Sequence, residues 1–212
     1  MACRFLLFDL DGTLVDSLDD ITAAVNASRG RLRLPPLEDD QVRAFVGDGL
    51  APTIERSVPP ESARDALRFF MEYYQNHCLD ATRPYPGVPQ MLAQLRRRGA
   101  LAAVVTNKAR AMAEKILDGL GLSRCLRFVQ APDGAGELKP APEPFLRALA
   151  ALGGAAAEAL VVGDGRNDVL GARAAGLAVC GVLYGMGRPE EIRGLRPDFL
   201  VRSPAEIVEL LG

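Results

Sequence analysis

A doubly wound parallel α/β sheet with a helical insertion directly after its first strand is the fold class this sequence predicts, and three observations lead to it. Six short aliphatic runs are separated, for the most part, by stretches with helical periodicity. One long region, from about Leu18 to Asp80, breaks that rhythm and holds no strand-like run. Acidic, amide and hydroxyl side chains gather just after several of the runs, at the strand ends where ligands of such sheets bind.

The runs are Arg4–Phe8, Leu101–Thr106, Arg127–Ala131, Leu160–Gly163, Val179–Leu183 and Asp198–Val201. Their near-continuous apolar character fits strands covered on both faces, as parallel strands are. Within the Leu18–Asp80 region, "RLRLPPLED" and "SVPPES" separate helical stretches, and Leu67, Phe70, Met71 and Tyr74 fall at i, i+3, i+4 and i+7, the stripe of a packed helix. Val42, Phe45 and Val46 fit a second stripe, with the glycines of "VGDG" turning the chain after it. The expected division is a core of residues 1–17 and 81–212 and a helical insertion of 18–80. In "GVPQMLAQLRRRG", the apolar positions Val88, Met91, Leu92 and Leu95 predict a helix, with Arg96–Arg98 opposing its dipole and Gly99 capping it.

The composition removes several function classes. Among 212 residues, 25 basic and 27 acidic side chains are spread along the chain, which leaves no nucleic-acid footprint and no membrane-binding basic face. No stretch approaches the roughly 18 apolar residues of a membrane span, and "MACRFLLFDLDG" is too short in its apolar run and too acidic for an export signal, so a cytoplasmic protein is expected. Cys3, Cys78, Cys125 and Cys180 lie far apart, which predicts reduced thiols rather than a disulfide or zinc site. The one histidine, His77, has no partners for a zinc site or a catalytic triad and is expected at the surface or in a cap.

Chemistry concentrates in four segments. In "FLLFDLDGTLVDS", an extended chain puts the carboxylates of Asp9 and Asp11 on one side. Two acids so close repel when both are ionised, so the pair asks for a cation, a proton, or both. Gly12 permits a sharp turn there and Thr13 adds a hydroxyl; an ordinary Asp-Gly turn accounts for Asp11 but leaves Asp9 unexplained. "LAAVVTNK" ends in Thr106, Asn107 and Lys108, where the hydroxyl and the amide suit either an anionic oxygen or a plain strand-to-helix cap. In "ELKPAPEPF", three prolines present Lys139 stiffly as a point charge, before a helix that starts near Pro142 or Pro144. In "ALVVGDGRNDV", Asp164 ends an apolar strand and Asp168 follows four residues later, where capping the helix and serving a site are both open. Oxygen ligands from Asp9, Asp11 and Asp164, without histidine or cysteine, favour Mg²⁺ over zinc.

In this order "DLDGTLVDS", "VVTNK", "LKPAPEPF" and "VVGDGRNDV" resemble the four motifs of the haloacid dehalogenase superfamily of phosphohydrolases, over nearly the whole chain. "PYPGVPQML" and "VRAFVGDGLAPTIERS" look most like its phosphoglycolate phosphatase group. The resemblance implies a Rossmann-like core with a small helical cap and a Mg²⁺-dependent hydrolysis of a small phosphorylated metabolite, with 2-phosphoglycolate first. It further implies that Asp9 is the nucleophile and that Asp11 protonates the leaving oxygen and later activates water. Mg²⁺ would be held by Asp9, the Asp11 carbonyl and Asp164; Thr106, Asn107 and Lys139 would hold phosphoryl oxygens, and Asp168 would orient Lys139 or metal-bound water. Arg43 and Gly47, Asp48 and Gly49 would face the leaving group from the cap. The chain would act as a monomer or homodimer. A sugar-phosphate phosphatase, a pyrophosphatase and a phosphosugar mutase are alternatives within the superfamily, and a receiver-like phosphorylated switch is one outside it. Asp11 argues against dehalogenase chemistry, because the dehalogenases lack that second acid.

Overall fold

The computed structural model describes residues 3–134 and 136–211. In chain order its regular elements are β1 (Phe5–Phe8), β2 (Val15–Asp16), α1 (Leu18–Arg31), α2 (Asp39–Arg43), α3 (Leu50–Ser57), α4 (Ala63–His77), β3 (Arg83–Pro84), α5 (Val88–Arg97), β4 (Leu101–Val105), α6 (Arg110–Gly119), β5 (Phe128–Gln130), α7 (Glu143–Ala151), β6 (Ala159–Gly163), α8 (Arg166–Ala174), β7 (Ala178–Val182), α9 (Pro189–Gly194), β8 (Phe199–Val201) and α10 (Pro204–Glu209). Each of the six aliphatic runs contributes a strand to one parallel sheet, in the order β5-β4-β1-β6-β7-β8. The chain fills one side of β1 with β4 and β5, then crosses to the other with β6. A crevice therefore opens at the carboxyl ends of β1, β4 and β6.

Alternation along β1 divides the core into two layers. Leu6 and Phe8 join a cluster with α5, α6 and α10, whereas Phe5 and Leu7 pack with Phe145 and Leu149 of α7 and Val169 of α8. Ile21, Ile54, Phe70 and Tyr74 from the helical insertion belong to the first of these clusters, so the insertion buries its apolar stripe in continuity with the sheet.

The short antiparallel ladder of β2 with β3 brings the entry and exit of the insertion together, pairing Val15 with Pro84 and Asp16 with Arg83. Two-residue strands carry no periodic signal, and the sequence reading missed them. Asp20, buried at the start of α1, accepts from the backbone N–H groups of Ala81 and Thr82, both at 2.8 Å, and from the Thr82 hydroxyl at 2.6 Å. That carboxylate fastens the two crossings to each other.

One helix is shorter than its stripe predicts. α2 ends at Arg43, and Phe45 and Val46 continue in tight turns whose N–H groups reach back three residues to Val42 and Arg43. Further along, the Thr53 hydroxyl (3.0 Å) and Arg56 (3.2 Å) of α3 both donate to the Phe45 carbonyl and fasten the turn to that helix. Gly47, at φ +124°, then adopts a backbone that other residues avoid. The four cysteines are unbridged, His77 lies against Asp80 at 2.7 Å, and Arg98 donates to the Val208 carbonyl of α10 at 2.8 Å beside Gly99, which is left-handed as a helix cap requires. Among the described residues no helix is long and apolar enough to cross a membrane.

Candidate active site

The crevice is built from the turn after β1. The Asp9 N–H donates to the Val162 carbonyl at 2.9 Å and so extends the parallel ladder one residue beyond β1. The chain then folds back on itself, with the Leu10 carbonyl accepting from Thr13, Leu14 and Val15. Gly12 makes this turn at φ +85°, and any Cβ there would collide with the Asp164 carboxylate. The turn and the end of β6 can approach only because position 12 has no side chain.

Asp164 is buried and fixed on both oxygens. Oδ2 accepts from the N–H groups of Met186 and Gly187, each at 2.8 Å, and Oδ1 accepts from the Thr13 hydroxyl at 3.2 Å. Asp168, in the first turn of α8, accepts from the Gly165 N–H at 3.1 Å and from the Lys139 ammonium at 2.7 Å. The helix-cap role and the site role left open by the sequence therefore coexist in one carboxylate. Lys139 bridges to Asp9 as well, also at 2.7 Å, and its side chain is 3% exposed.

Three carboxylates meet here, since ligand oxygens of Asp9, Asp164 and Asp168 all lie within 4.8 Å of one another. One lysine faces them. Burial, with the charges of Asp168 and Asp164, pushes Asp9 well above the ordinary carboxylate range against the opposing pull of Lys139. Burial and the neighbouring Asp168 push Asp164 up to about 6. Lys139 is raised instead: burial opposes its charge, but the facing Asp168 and Asp9 hold the proton. A site with more buried negative charge than its one cation balances, and with only hard oxygen donors, fits a divalent cation such as Mg²⁺.

A stability prediction follows from the raised acids. A carboxyl group whose folded pKa exceeds its unfolded value contributes most below the unfolded value, and that contribution is lost as pH rises through the folded one. For Asp164 the window runs from 3.8 to about 6, worth on the order of 3 kcal/mol. Above it the ionised cluster destabilises the fold until a cation neutralises it. Mg²⁺ should therefore raise the melting temperature by several degrees at pH 7 and by less at pH 5, as thermal melts with and without EDTA will show.

Asp11 faces away from this cluster. Its carboxylate accepts from the Ser17 hydroxyl at 2.5 Å and from the Lys108 ammonium at 2.9 and 3.0 Å. Neither Ser17 nor Lys108 was given a role by sequence reasoning, although Lys108 follows Thr106 and Asn107 directly at the end of β4, a signal that was available. The Met186 and Gly187 amides were missed too, for backbone donors carry no sequence signature. Thr106 is buried and accepts from the Lys108 N–H at 3.1 Å. Asn107 grips Lys139 by its backbone, its carboxamide accepting from the N–H at 2.8 Å and donating to the carbonyl at 2.9 Å. Both ends of its carboxamide thus present the lysine, and its second N–H reaches the Gly47 carbonyl.

The turn 46–49 of the insertion reaches the same place. The Gly47 carbonyl accepts from Asn107 at 3.0 Å and from Asn167 at 3.2 Å, and Asp48 accepts from Asn167 at 2.8 Å and from Arg56 at 2.5 Å. The Asn167 hydrogen bond, with Arg56, holds Asp48 below the usual carboxylate range against its partial burial. Asp48 is therefore apart from the acid cluster, unlike Asp164 in the identical tetrapeptide. Arg43 is exposed and pairs with Asp40 at 3.6 Å, on the rim of the outer cleft. Val46 and Gly47 border two spaces that share Asp9, Asp11 and Lys139: an inner cavity of about 90 Å³ and an outer cleft of about 900 Å³.

Known proteins match this arrangement along its length. The model of the haloacid dehalogenase-like hydrolase family matches residues 6–182. The chain is 38% identical to the phosphoglycolate phosphatase of Chromobacterium violaceum, covering 98% of this chain and 96% of that protein. It is 34% identical to the N-acetylmuramic acid 6-phosphate phosphatase of Pseudomonas aeruginosa, covering 100% and 96%. The crystal structure of a predicted phosphoglycolate phosphatase from Haemophilus somnus 129pt superimposes with a TM-score of 0.94 at 29% identity, covering 100% of this chain and 99% of that one. With the four motif segments gathered at one sheet edge and a family match over most of its length, the chain belongs to the haloacid dehalogenase-like hydrolases.

Proposed function

We propose that this chain is a Mg²⁺-dependent phosphatase that hydrolyses a small phosphate monoester, 2-phosphoglycolate first, through an aspartyl-phosphate on Asp9. The observation that carries the reading is the Lys139 ammonium, bonded to both Asp9 and Asp168 beside buried Asp164 at the sheet's carboxyl edge. A dianionic phosphoryl group repels a carboxylate nucleophile, and a fixed cation at the point of attack offsets that repulsion. The phosphoglycolate phosphatase relatives support the substrate.

In this reading an Asp9 oxygen attacks phosphorus while the bond to the leaving oxygen breaks and Asp11 gives that oxygen its proton. Asp11 then takes a proton from water, whose oxygen attacks the same phosphorus and releases inorganic phosphate with Asp9 restored. Thr106 and Lys139 hold the transferring oxygens, and Asn107 keeps Lys139 in place. Mg²⁺, held by Asp9, Asp164 and the Asp11 carbonyl with Asp168 beside them, supplies further positive charge to those oxygens when bound. Residues 18–80 form the cap over the site.

A second reading has a specific observation behind it. The outer cleft has room for a sugar acid, and the Pseudomonas aeruginosa relative is named for one. Phosphate release will be measured with Mg²⁺ on 2-phosphoglycolate, N-acetylmuramic acid 6-phosphate, hexose phosphates and pyrophosphate, ranked by kcat/KM. Phosphoglycolate should lead. The amino-sugar acid in first place would move the substrate to the second reading, and release from none of them would overturn the phosphatase.

A further inference from the structure

The inner cavity has one polar end and one apolar wall. Asp9, Asp11, Thr106 and Lys139 line the end where the phosphoryl group is proposed to sit, whereas Ile21, Leu50, Phe70 and Met112 line the wall. Two further side chains interrupt that wall. The Lys108 side chain is 9% exposed, and its ammonium donates to both oxygens of Asp11 but, among the described residues, to nothing else. An ammonium has three N–H donors, and the one that Asp11 leaves lies over the Tyr74 ring, where a ligand oxygen can take it up. Tyr74, from α4 of the insertion, is 2% exposed, and its buried hydroxyl has no hydrogen-bond partner. The two meet, with the Lys108 ammonium 4.9 Å from the centre of the Tyr74 ring.

Unmade hydrogen bonds on buried polar groups destabilise a fold, and two side by side mark a place where a ligand completes them. We propose that Lys108 and Tyr74 together bind the carboxylate of the leaving group and so determine specificity for the phosphate ester of a short hydroxy acid. The proposal rests on the phosphatase reading above and names which residues select its substrate.

Three facts favour an anion of this kind. A carboxylate offers two acceptor oxygens to two waiting donors. Most other polar groups bordering the cavity are occupied: Lys139 is shared between Asp9 and Asp168, Thr53 donates to the carbonyls of Phe45 and Gly49, and the Asn107 carboxamide bonds backbone groups, while the Thr106 hydroxyl is assigned to the phosphoryl end. At about 90 Å³ the cavity suits a leaving group of few heavy atoms, whereas a sugar acid needs the outer cleft.

The test compares 2-phosphoglycolate with ethyl phosphate, which replaces the carboxylate by a methyl group. The wild-type protein should prefer phosphoglycolate in kcat/KM by at least about a hundredfold, because a site built for a polar group rejects the analogue that lacks it. Lys108→Met should cut that preference at least about tenfold and Tyr74→Phe about threefold or more, with glycolate weakened as a competitive inhibitor of both. Because Lys108 touches Asp11, its loss slows both esters, and only the ratio reads binding of the carboxylate. A ratio within about twofold of wild type in Tyr74→Phe and Lys108→Met alike, or a wild-type protein that hydrolyses both esters equally, overturns the assignment. Hydrolysis of neither ester by the wild type overturns the assignment alone; the phosphatase reading falls with it only when the wider panel, N-acetylmuramic acid 6-phosphate included, also releases no phosphate.

Discussion

Asp9→Asn should abolish phosphate release, lowering kcat by at least about ten-thousandfold, as removal of a covalent nucleophile does. The substitution keeps size and shape while taking away the oxygen that attacks phosphorus. It should not cost the fold. Asp9 is held well above its ordinary range by burial and by Asp168 and Asp164, so its ionised form is already disfavoured there. An uncharged amide relieves that crowding, and Lys139 keeps Asp168 as a partner. The expected pair of results is a dead enzyme with an unchanged or higher melting temperature at pH 7 without metal. Full activity in Asp9→Asn would mean that the covalent route is wrong.

Lys139→Met should do the opposite to stability. The ammonium is the cation that faces Asp9 and Asp168 in a buried site, and removing one member of a buried ion pair costs about 3–5 kcal/mol because the other charge stays behind. For a chain of this size, that lowers the melting temperature by roughly 10 °C at pH 7. Lowering the pH protonates the abandoned Asp9, which burial and the neighbouring acids already hold well above the ordinary carboxylate range, so the deficit should shrink towards pH 5. Activity should fall together with stability, since the same charge is proposed to steady the phosphoryl oxygens. A melting temperature equal to wild type at pH 7 would show that the cluster is not held together by this lysine.

Much of this arrangement is legible in the sequence because it lies in residue types at strand ends. Asp9 and Asp164 each follow an apolar run, and the sheet brings runs far apart in sequence to one edge, so reading the strands also locates the acids. Lys139 is legible for a different reason: the prolines around it announce a stiff loop. What escaped is of two kinds. The amides of Met186 and Gly187 that fix Asp164 are backbone groups, available from any non-proline residue and marked only by the path of the chain. The roles of Asn107 and Lys108 depend on where side chains turn: Asn107 towards the backbone of Lys139, Lys108 towards Asp11 across 97 positions of sequence. The early end of α2 escaped because Val42, Phe45 and Val46 keep helical spacing while the backbone there runs through tighter i→i−3 turns into Gly47 at φ +124°.

The Gly47 carbonyl, shared by Asn107 after β4 and Asn167 in α8, has one more consequence. A main-chain oxygen is blind to side-chain identity, so these two hydrogen bonds impose no demand on what stands at position 46, whereas position 48 is held through the Asp48 carboxylate, which accepts from Asn167. Position 47 itself is tied to glycine by its backbone angle. Chains that diverge at position 46 can therefore reshape the walls of the cavity and the cleft while the loop lands in the same place. Anchorage and selectivity are thereby uncoupled, and a lineage can drift from one phosphate ester to another without rebuilding the closure of its site.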